Sequence, residues 1–285
     1  VTASNGSCGP VASVVIPAHD EARVIGRLLD GLVGPDLEIV VVCNGCTDGT
    51  EEESARHGPD VRVLSTPVPS KRDALRLGDA AATVFPRFYV DADVEISRRS
   101  ILALTAVLTV EGREAVAPER IVPRDGVRAP VRWYYDVWEQ LPQVRSGLFG
   151  RGVIGVSESG HQRLRALPPV MGDDLVASEV FEPYERVVVH GAAVVVRPPR
   201  RLRDLHHRRV RAVTGNTQAD RLGLRRSESV SSATSLTALV RARPALLPKA
   251  PIFVAVTVAA RIGARSALRR DDFDTWRRDE SSRRG

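Results

Sequence analysis

Asp91-Ala92-Asp93 follows the apolar run Phe88-Tyr89-Val90, so two carboxylates stand at the end of a β-type segment. Residues two apart on a strand point the same way, which puts both acids on one side and Ala92 on the other. Two anions there cost free energy unless a cation or several hydrogen-bond donors meet them. A hard divalent ion does so, and Mg2+ in particular favours one or two carboxylates together with the phosphates of a substrate. The alternative is a solvated Asp-x-Asp turn. A second group, Cys43-Asn44-Gly45-Cys46, spells C-x-x-C between an apolar run and a polar turn, where a thiol–disulfide motif would sit. Thiols of ordinary acidity, about 8.5, would exclude that reading. Lys71 is the third, one of two lysines (with Lys249) in a chain that otherwise uses arginine. At a strand-to-helix junction a compact ammonium suits a phosphate as a point charge, and the following helix N-terminus favours anions as well. Its alternative is a solvated surface lysine.

Two further patterns carry less. Gly150-Arg151-Gly152-Val153-Ile154-Gly155 fits G-x-G-x-x-G, with Asp173 downstream. A dinucleotide fingerprint needs a strand before it and a helix opening within it. Here the preceding text reads as helix and residues 152–157 as strand, so that fold is not expected. Residues 197–211 hold a run of arginines with His206 and His207 but no interleaved aromatics, so nucleic-acid binding by stacking is not expected. A membrane-facing basic patch is the alternative.

To act together these groups must be carried to one place. Residues 12–18 are an apolar, β-branched run, and 37–43, 61–66 and 87–90 read as three further strands. Helical spacing of Val24, Ile25, Leu28, Leu29 and Leu32 separates the first two, and Thr50-x-x-Glu53 has the form of a capping box opening a short helix. Ala74, Leu75, Ala81, Ala82 and Phe85 mark another helix. Later, Val131, Tyr134, Trp138 and Leu141 form an amphipathic helix, and residues 186–197 a strand. Continuous apolar strands separated by helices imply a mainly parallel sheet covered on both faces. Ligands bind such sheets at the carboxyl ends of the strands, which singles out residues 19–21, 43–48, 65–71 and 91–93.

Composition agrees with an ordinary globular protein: 285 residues, 43% hydrophobic and 27% charged, with net charge +6. Three cysteines, Cys8, Cys43 and Cys46, make no disulfide framework, so a reducing compartment is expected. The N-terminus lacks a basic flank and an apolar stretch, and is expected to be a frayed tail rather than a signal peptide. The apolar run 252–260 is too short to span a bilayer. The expected organisation is a tail over residues 1–10, an α/β domain over 11–215 and a helical C-terminal appendage over 216–285.

The stretches VVIPAHDEARVIGRLLDGL, IVVVCNGCTDGT, SKRDALRLG and FYVDADVEI, in that order, resemble the N-terminal half of family 2 glycosyltransferases. The likeness covers residues 11–97 and weakens beyond. It implies the GT-A fold, an α/β, Rossmann-like, mainly parallel mixed sheet flanked by helices. It also implies an inverting transferase that takes its sugar from a UDP-sugar or GDP-sugar with Mg2+ or Mn2+. The acceptor would be a hydroxyl of a sugar, a lipid-linked molecule or a small molecule, in the cytoplasm or at the inner face of the membrane.

Position by position, the resemblance places Pro17, Ala18 and Glu21 in the loop that contacts the nucleoside, with Cys43, Asn44 and Asp48 in the loop that reads the base. Cys43 stands where many relatives have an aspartate, which leaves the nucleotide's identity open; Asn44 still offers a donor and an acceptor. Lys71 falls where the family often has a basic residue, and Asp91, Ala92 and Asp93 on its metal and diphosphate motif. Residues 152–157 fall where a Gly-rich strand lines the sugar and acceptor side. Met171-Gly172-Asp173-Asp174 resembles the family's Glu-Asp pair, with Asp174 as general base and Asp173 in place of the glutamate. Adjacent acids raise one another's pKa, which suits a base working near neutrality; the alternative is a helix N-terminal acid pair stabilised by the dipole. Arg211 matches the arginine of a Q-x-x-R-W motif that has lost Gln and Trp, and would hold the diphosphate, while His207 would reach the metal. A non-catalytic protein that binds a nucleotide sugar on the same fold is the first rival reading, and a C-x-x-C thiol oxidoreductase the second.

Overall fold

The four strand-like segments of residues 12–90 are strands in the computed structural model, which describes residues 9–167, 173–224 and 233–269. In chain order the elements are β1 (Ala12–Ala18), α1 (Ile25–Leu32), β2 (Leu37–Asn44), α2 (Thr50–Ala55), β3 (Val61–Thr66), α3 (Lys71–Ala81), β4 (Arg87–Val90), β5 (Val94–Ile96) and α4 (Arg98–Leu108). They continue with β6 (Ala115–Ile121), α5 (Ala129–Trp138), α6 (Pro142–Ser146), β7 (Val153–Val156), α7 (Glu158–Arg165), α8 (Asp173–Glu179) and β8 (Arg186–Val196). The last three helices are α9 (Leu202–Arg221), α10 (Ala233–Ala242) and α11 (Ala250–Arg269). The expected tail falls mostly on residues 1–8, outside the described residues, as does Cys8.

Two units divide these elements. The residues up to Ile121, with Arg151–Ala166 and Pro183–Val196, contain the sheet; Val122–Gly150, Leu167–Glu182 and the chain from Arg197 on form a helical unit. The helix α9 runs unbroken through residues 215 and 216.

The sheet has the order β3-β2-β1-β4-β7-β6-β8-β5. β3, β2, β1 and β4 are mutually parallel, as are β6 and β8; β7 is antiparallel to β4 and β6, and β5 to β8. Side-chain alternation sorts the strands' two faces. Val14, Ile16, Ile39, Val41 and Cys43 pack with Leu28 and Leu29 of α1 and Ile101 and Leu104 of α4. Val15, Val40 and Val42 turn the other way, onto Ala74 and Ala81 of α3. Each large side chain buried this way contributes roughly 1.5–3 kcal/mol, which fixes the register that brings the carboxyl ends of β1 to β4 to one rim.

Two sequence expectations need correction, and the helix marked by Ala74 to Phe85 stops at Ala81. Thr50 is not the cap of α2: Gly49 is, the Glu53 N–H donates to the Gly49 carbonyl, and the Thr50 N–H donates to the Asp48 carboxylate. The strands β5 and β6 were not foreseen. Pro118 inside β6 argues against a strand, and the structure accommodates it with a register shift against β8, where Pro118 pairs with Val189 but Glu119 with Ala193. The Gly150–Gly155 stretch leads into strand β7 and not into a helix, as its context implied.

In the helical unit, Val131, Tyr134 and Val137 of α5 pack with Leu205 of α9 and with Phe253 and Val256 of α11. Tyr134 stacks on Phe253 at 5.2 Å, and burial pushes its phenol up to about 12. Lys249 holds Asp136 at 2.7 Å and ties the start of α11 to α5. No helix among the described residues is long and apolar enough to cross a membrane.

Candidate functional site

The loops leaving β1 and β2 are laced together at the rim of the sheet. Asn44 Nδ2 donates to the Ala18 carbonyl at 2.7 Å, and His19 Nδ1 lies 2.6 Å from the Asn44 carbonyl. The Asp20 carboxylate accepts from Thr47 N at 2.6 Å, while Asp20 N–H donates to Cys46 Sγ at 3.4 Å. Glu21 is buried, and its N–H donates to the Thr50 hydroxyl at 2.7 Å. Asp48 accepts from Ala22 N at 3.2 Å through one oxygen and from Thr50 N at 3.0 Å through the other. Asp48 therefore braces the two loops. Pro17 and Ala18 are buried in β1.

One atom in this lattice stands out. Asn44 is 1% exposed, and its side-chain carbonyl oxygen has no hydrogen-bond partner among the described residues. An unmatched buried acceptor costs on the order of 1–3 kcal/mol, so its presence at the expected base-reading position fits a ligand N–H.

The thiols of Cys43, in β2, and Cys46, in the loop after it, are strongly polarised. The Cys43 thiol donates to Cys46, which holds Cys46 at about 6 against some opposing burial and raises Cys43, itself buried in the core. Thiol acidity thus does not exclude dithiol chemistry. Placement argues against it: Cys43 lies inside β2, packed beneath α1 and α4 with Ile39 and Val41.

The acidic motif sits elsewhere on the same rim. β4 ends at Val90, so Asp91-Ala92-Asp93 is a turn between β4 and β5 and not strand, and two-residue alternation does not govern it. The turn is pinned in other ways. Ala92 is buried, Asp91 N–H donates to the Gly152 carbonyl at 2.8 Å, and Val94 N–H to the Asp91 carbonyl at 3.4 Å. Gly152 has φ +65°, and a Cβ there would meet Val94 Cγ1 at 2.5 Å and Asp91 Oδ2 at 3.3 Å. Only glycine lets β7 approach the acid so closely. Lys71 opens α3 behind the Ser70 cap and donates from Nζ to Asp91 Oδ1 at 2.9 Å. A half-exposed carboxylate pair with an ammonium and a helix N-terminus beside it suits a divalent ion and a diphosphate together.

Next to Gly152 is a residue that sequence reasoning passed over. Arg151 is buried, donates to the Pro118 carbonyl at 3.1 Å, and is pulled down to about 9 by burial and by Arg120. Its signal was the Gly-Arg-Gly sequence itself, set aside with the dinucleotide pattern.

The remaining expected residues belong to the helical unit. The backbone of Asp173 and Asp174 opens α8; their side chains, with Met171 and Gly172, lie outside the described residues. His207 and Arg211 are one turn apart on the exposed side of α9. Arg209 of the same helix lies over the rings of Tyr134 and Trp138, at 5.9 and 6.0 Å. A cleft of about 520 Å3 in this unit is lined by Arg124, Asp136, Glu139 and Arg243. Its acids already pair with Arg124 and Lys249, which makes it a braced joint and not a site for chemistry.

Comparison with known proteins bears on this arrangement. No curated protein matches the chain. Among solved structures, glucosyl-3-phosphoglycerate synthase from Mycobacterium tuberculosis with Mn2+, UDP and glucosyl-3-phosphoglycerate is 22% identical, with TM-score 0.54 over 78% of this chain and 83% of that one. The same enzyme with Mg2+ and UDP is 23% identical, with TM-score 0.54 over 78% and 82%. These likenesses establish the GT-A fold. Residues 13–156 match the family described as Glycosyl transferase family 2. The chain belongs to that family and is a glycosyltransferase.

Proposed function

We propose that this enzyme is a metal-dependent, inverting glycosyltransferase that moves a sugar from a nucleoside-diphosphate sugar, UDP-linked in the first instance, to a hydroxyl acceptor. The observation that carries the reading is the Asp91–Asp93 turn held by Gly152 and charge-matched by Lys71. The similar enzyme was solved with Mn2+ or Mg2+ and with UDP or UDP-glucose. Asp91 and Asp93 would hold such an ion here, and its chemistry, when bound, is to neutralise charge on the departing nucleoside diphosphate. Lys71 and Arg211 would bind the diphosphate, with His207 as a further ligand. Asn44 Oδ1 would accept an N–H of the base against Pro17, Ala18, Glu21 and Cys43. Asp174 would take the proton of the acceptor hydroxyl as it attacks the anomeric carbon on the face opposite the leaving group, and Asp173 would raise its basicity.

The acceptor side is read from charge and exposure. The similar enzyme was solved with phosphoglyceric acid and with glycerol 3-phosphate, and the net charge of +6 suits an anionic acceptor here as well. A lipid-linked acceptor at a membrane face is favoured by α11. Val254, Val258 and Ile262 form an exposed apolar stripe on it, 43%, 47% and 63% accessible, flanked by Arg261 and Arg265. Residues 233–269 contain no Asp or Glu, so the stripe complements an anionic bilayer surface and repels a second copy of itself.

The test is transfer by Asp93→Asn and Asp174→Ala. Asp93→Asn should lose metal-dependent transfer with an unchanged melting temperature, and Asp174→Ala should bind donor but not turn over. Full turnover of Asp93→Asn in EDTA, or normal turnover of Asp174→Ala, would remove the corresponding role.

A further inference from the structure

His19, Asp20 and Cys46 take no part in the chemistry above, yet each offers a ligand atom within 4.8 Å of the others. Theirs is the one such trio among the described residues, and all three are half-buried. The donor set differs in kind from the Asp91–Asp93 turn. Imidazole, carboxylate and thiolate together suit a borderline-soft transition ion, whereas carboxylates alone suit Mg2+ or Mn2+.

Each donor also has the outer hydrogen bond that orients a metal ligand. A carbonyl can only accept, so His19 Nδ1 carries its proton toward Asn44 O at 2.6 Å, which leaves the lone pair on Nε2. The Asp20 carboxylate is held by Thr47 N at 2.6 Å and by the Thr47 hydroxyl. Cys46 Sγ receives the Asp20 N–H at 3.4 Å, a bond that strengthens when sulfur is a thiolate. To make it, Asp20 adopts φ +50°, an uncommon conformation for a residue with a side chain.

We propose that His19, Asp20 and Cys46 form a second metal site, for Zn2+ or a similarly borderline divalent ion, with three protein ligands and a fourth position open to water. Binding replaces the thiol proton: the Cys46 S–H, which donates to the Ala18 carbonyl at 3.4 Å, gives its proton to solvent as the S–metal bond forms, so a divalent ion takes the place of one proton and the net charge of the site rises by one. The metal's oxidation state does not change. The site adjoins Asn44, so an ion there would antagonise donor binding while Mg2+ or Mn2+ supports it. Its existence does not depend on the proposed reaction.

Cobalt reports this site separately from the acidic turn, because only a thiolate ligand gives sulfur-to-cobalt charge transfer. Metal-free protein titrated with Co2+ should develop that near-ultraviolet band with one ion per chain, and Zn2+ should abolish it. The band should persist in Cys43→Ser and in Asp91→Asn, disappear in Cys46→Ser, and need at least tenfold more metal in His19→Ala. Zn2+ should also protect Cys46 of the unmodified chain from alkylation, mapped by mass spectrometry, which covers the case of a variant that does not fold. Absence of the band, its survival in Cys46→Ser, or Cys46 alkylated equally fast with and without Zn2+ would overturn the proposal.

Discussion

Replacing Asn44 with alanine separates two roles that a buried polar residue can have. Its Nδ2 donates to Ala18 O, whereas Oδ1 has no partner among the described residues. Losing the first costs about 0.5–1.5 kcal/mol, and removing the unmatched acceptor returns about 1–3 kcal/mol. A small cavity offsets part of that return, so the folded state should change by less than about 2 kcal/mol. Donor binding should behave differently. In the intact protein a base N–H relieves the unmatched acceptor, and the alanine variant has nothing to relieve. The expected loss is about 1–3 kcal/mol of affinity, or roughly 5- to 150-fold in Kd. Calorimetric titration with UDP and Mn2+, run beside thermal unfolding, measures both quantities. An affinity within twofold of the parent would show that Oδ1 does not meet the nucleoside. A large drop in stability with unchanged affinity would make Asn44 a purely internal brace.

Other expectations follow from different parts of the molecule. Gly152→Ala should destabilise by about 2–5 kcal/mol, combining left-handed strain of about 1–2 with overpacking of about 1–3, and should weaken Mn2+ binding because its Cβ pushes on Asp91; normal metal affinity would show that the turn tolerates displacement. His161 is buried and shares Nδ1 with the Tyr89 hydroxyl, 2.7 Å away, which in turn reaches Asp79. Burial lowers the His161 pKa, so the unfolded chain binds its proton more readily. Stability should hold above about pH 6.5 and fall as pH drops below it; His161→Gln should flatten that slope, and an equally steep one would assign it to other groups. Serine at Val254, Val258 and Ile262 together should abolish co-sedimentation with phosphatidylglycerol vesicles, and Arg261→Gln should cost about 1 kcal/mol of binding. Equal sedimentation of parent and triple variant would remove the membrane contact.

How far these features could be read in advance depends on the distance over which they are encoded. The strands β1 and β2 were the most legible because they are buried on both faces and so carry near-continuous β-branched runs, while the shorter β4 and the edge strand β3 showed only as apolar residues between helical stretches. The Cys43 environment was legible too, since alternation puts it with Ile39 and Val41. The acidic turn was located but its geometry was not: alternation ends at Val90, and the conformation beyond it is set by Ala92 packing inward and by a carbonyl from Gly152, sixty-one positions away in sequence. Residues 115–121 were hidden by Pro118, whose cost is absorbed by an irregularity in a partner strand that local text does not reveal. The His19–Asp20–Cys46 group shows the same limit most clearly. Nothing in either loop announces it. Apolar packing pairs Ala18 with Cys43, and that register alone lands His19 on the Asn44 carbonyl and Asp20 on Cys46. A shift by one residue would turn β2 inside out and disperse the group, so its donors are held together by the same core burial that carries Asn44 and the acidic turn to one rim.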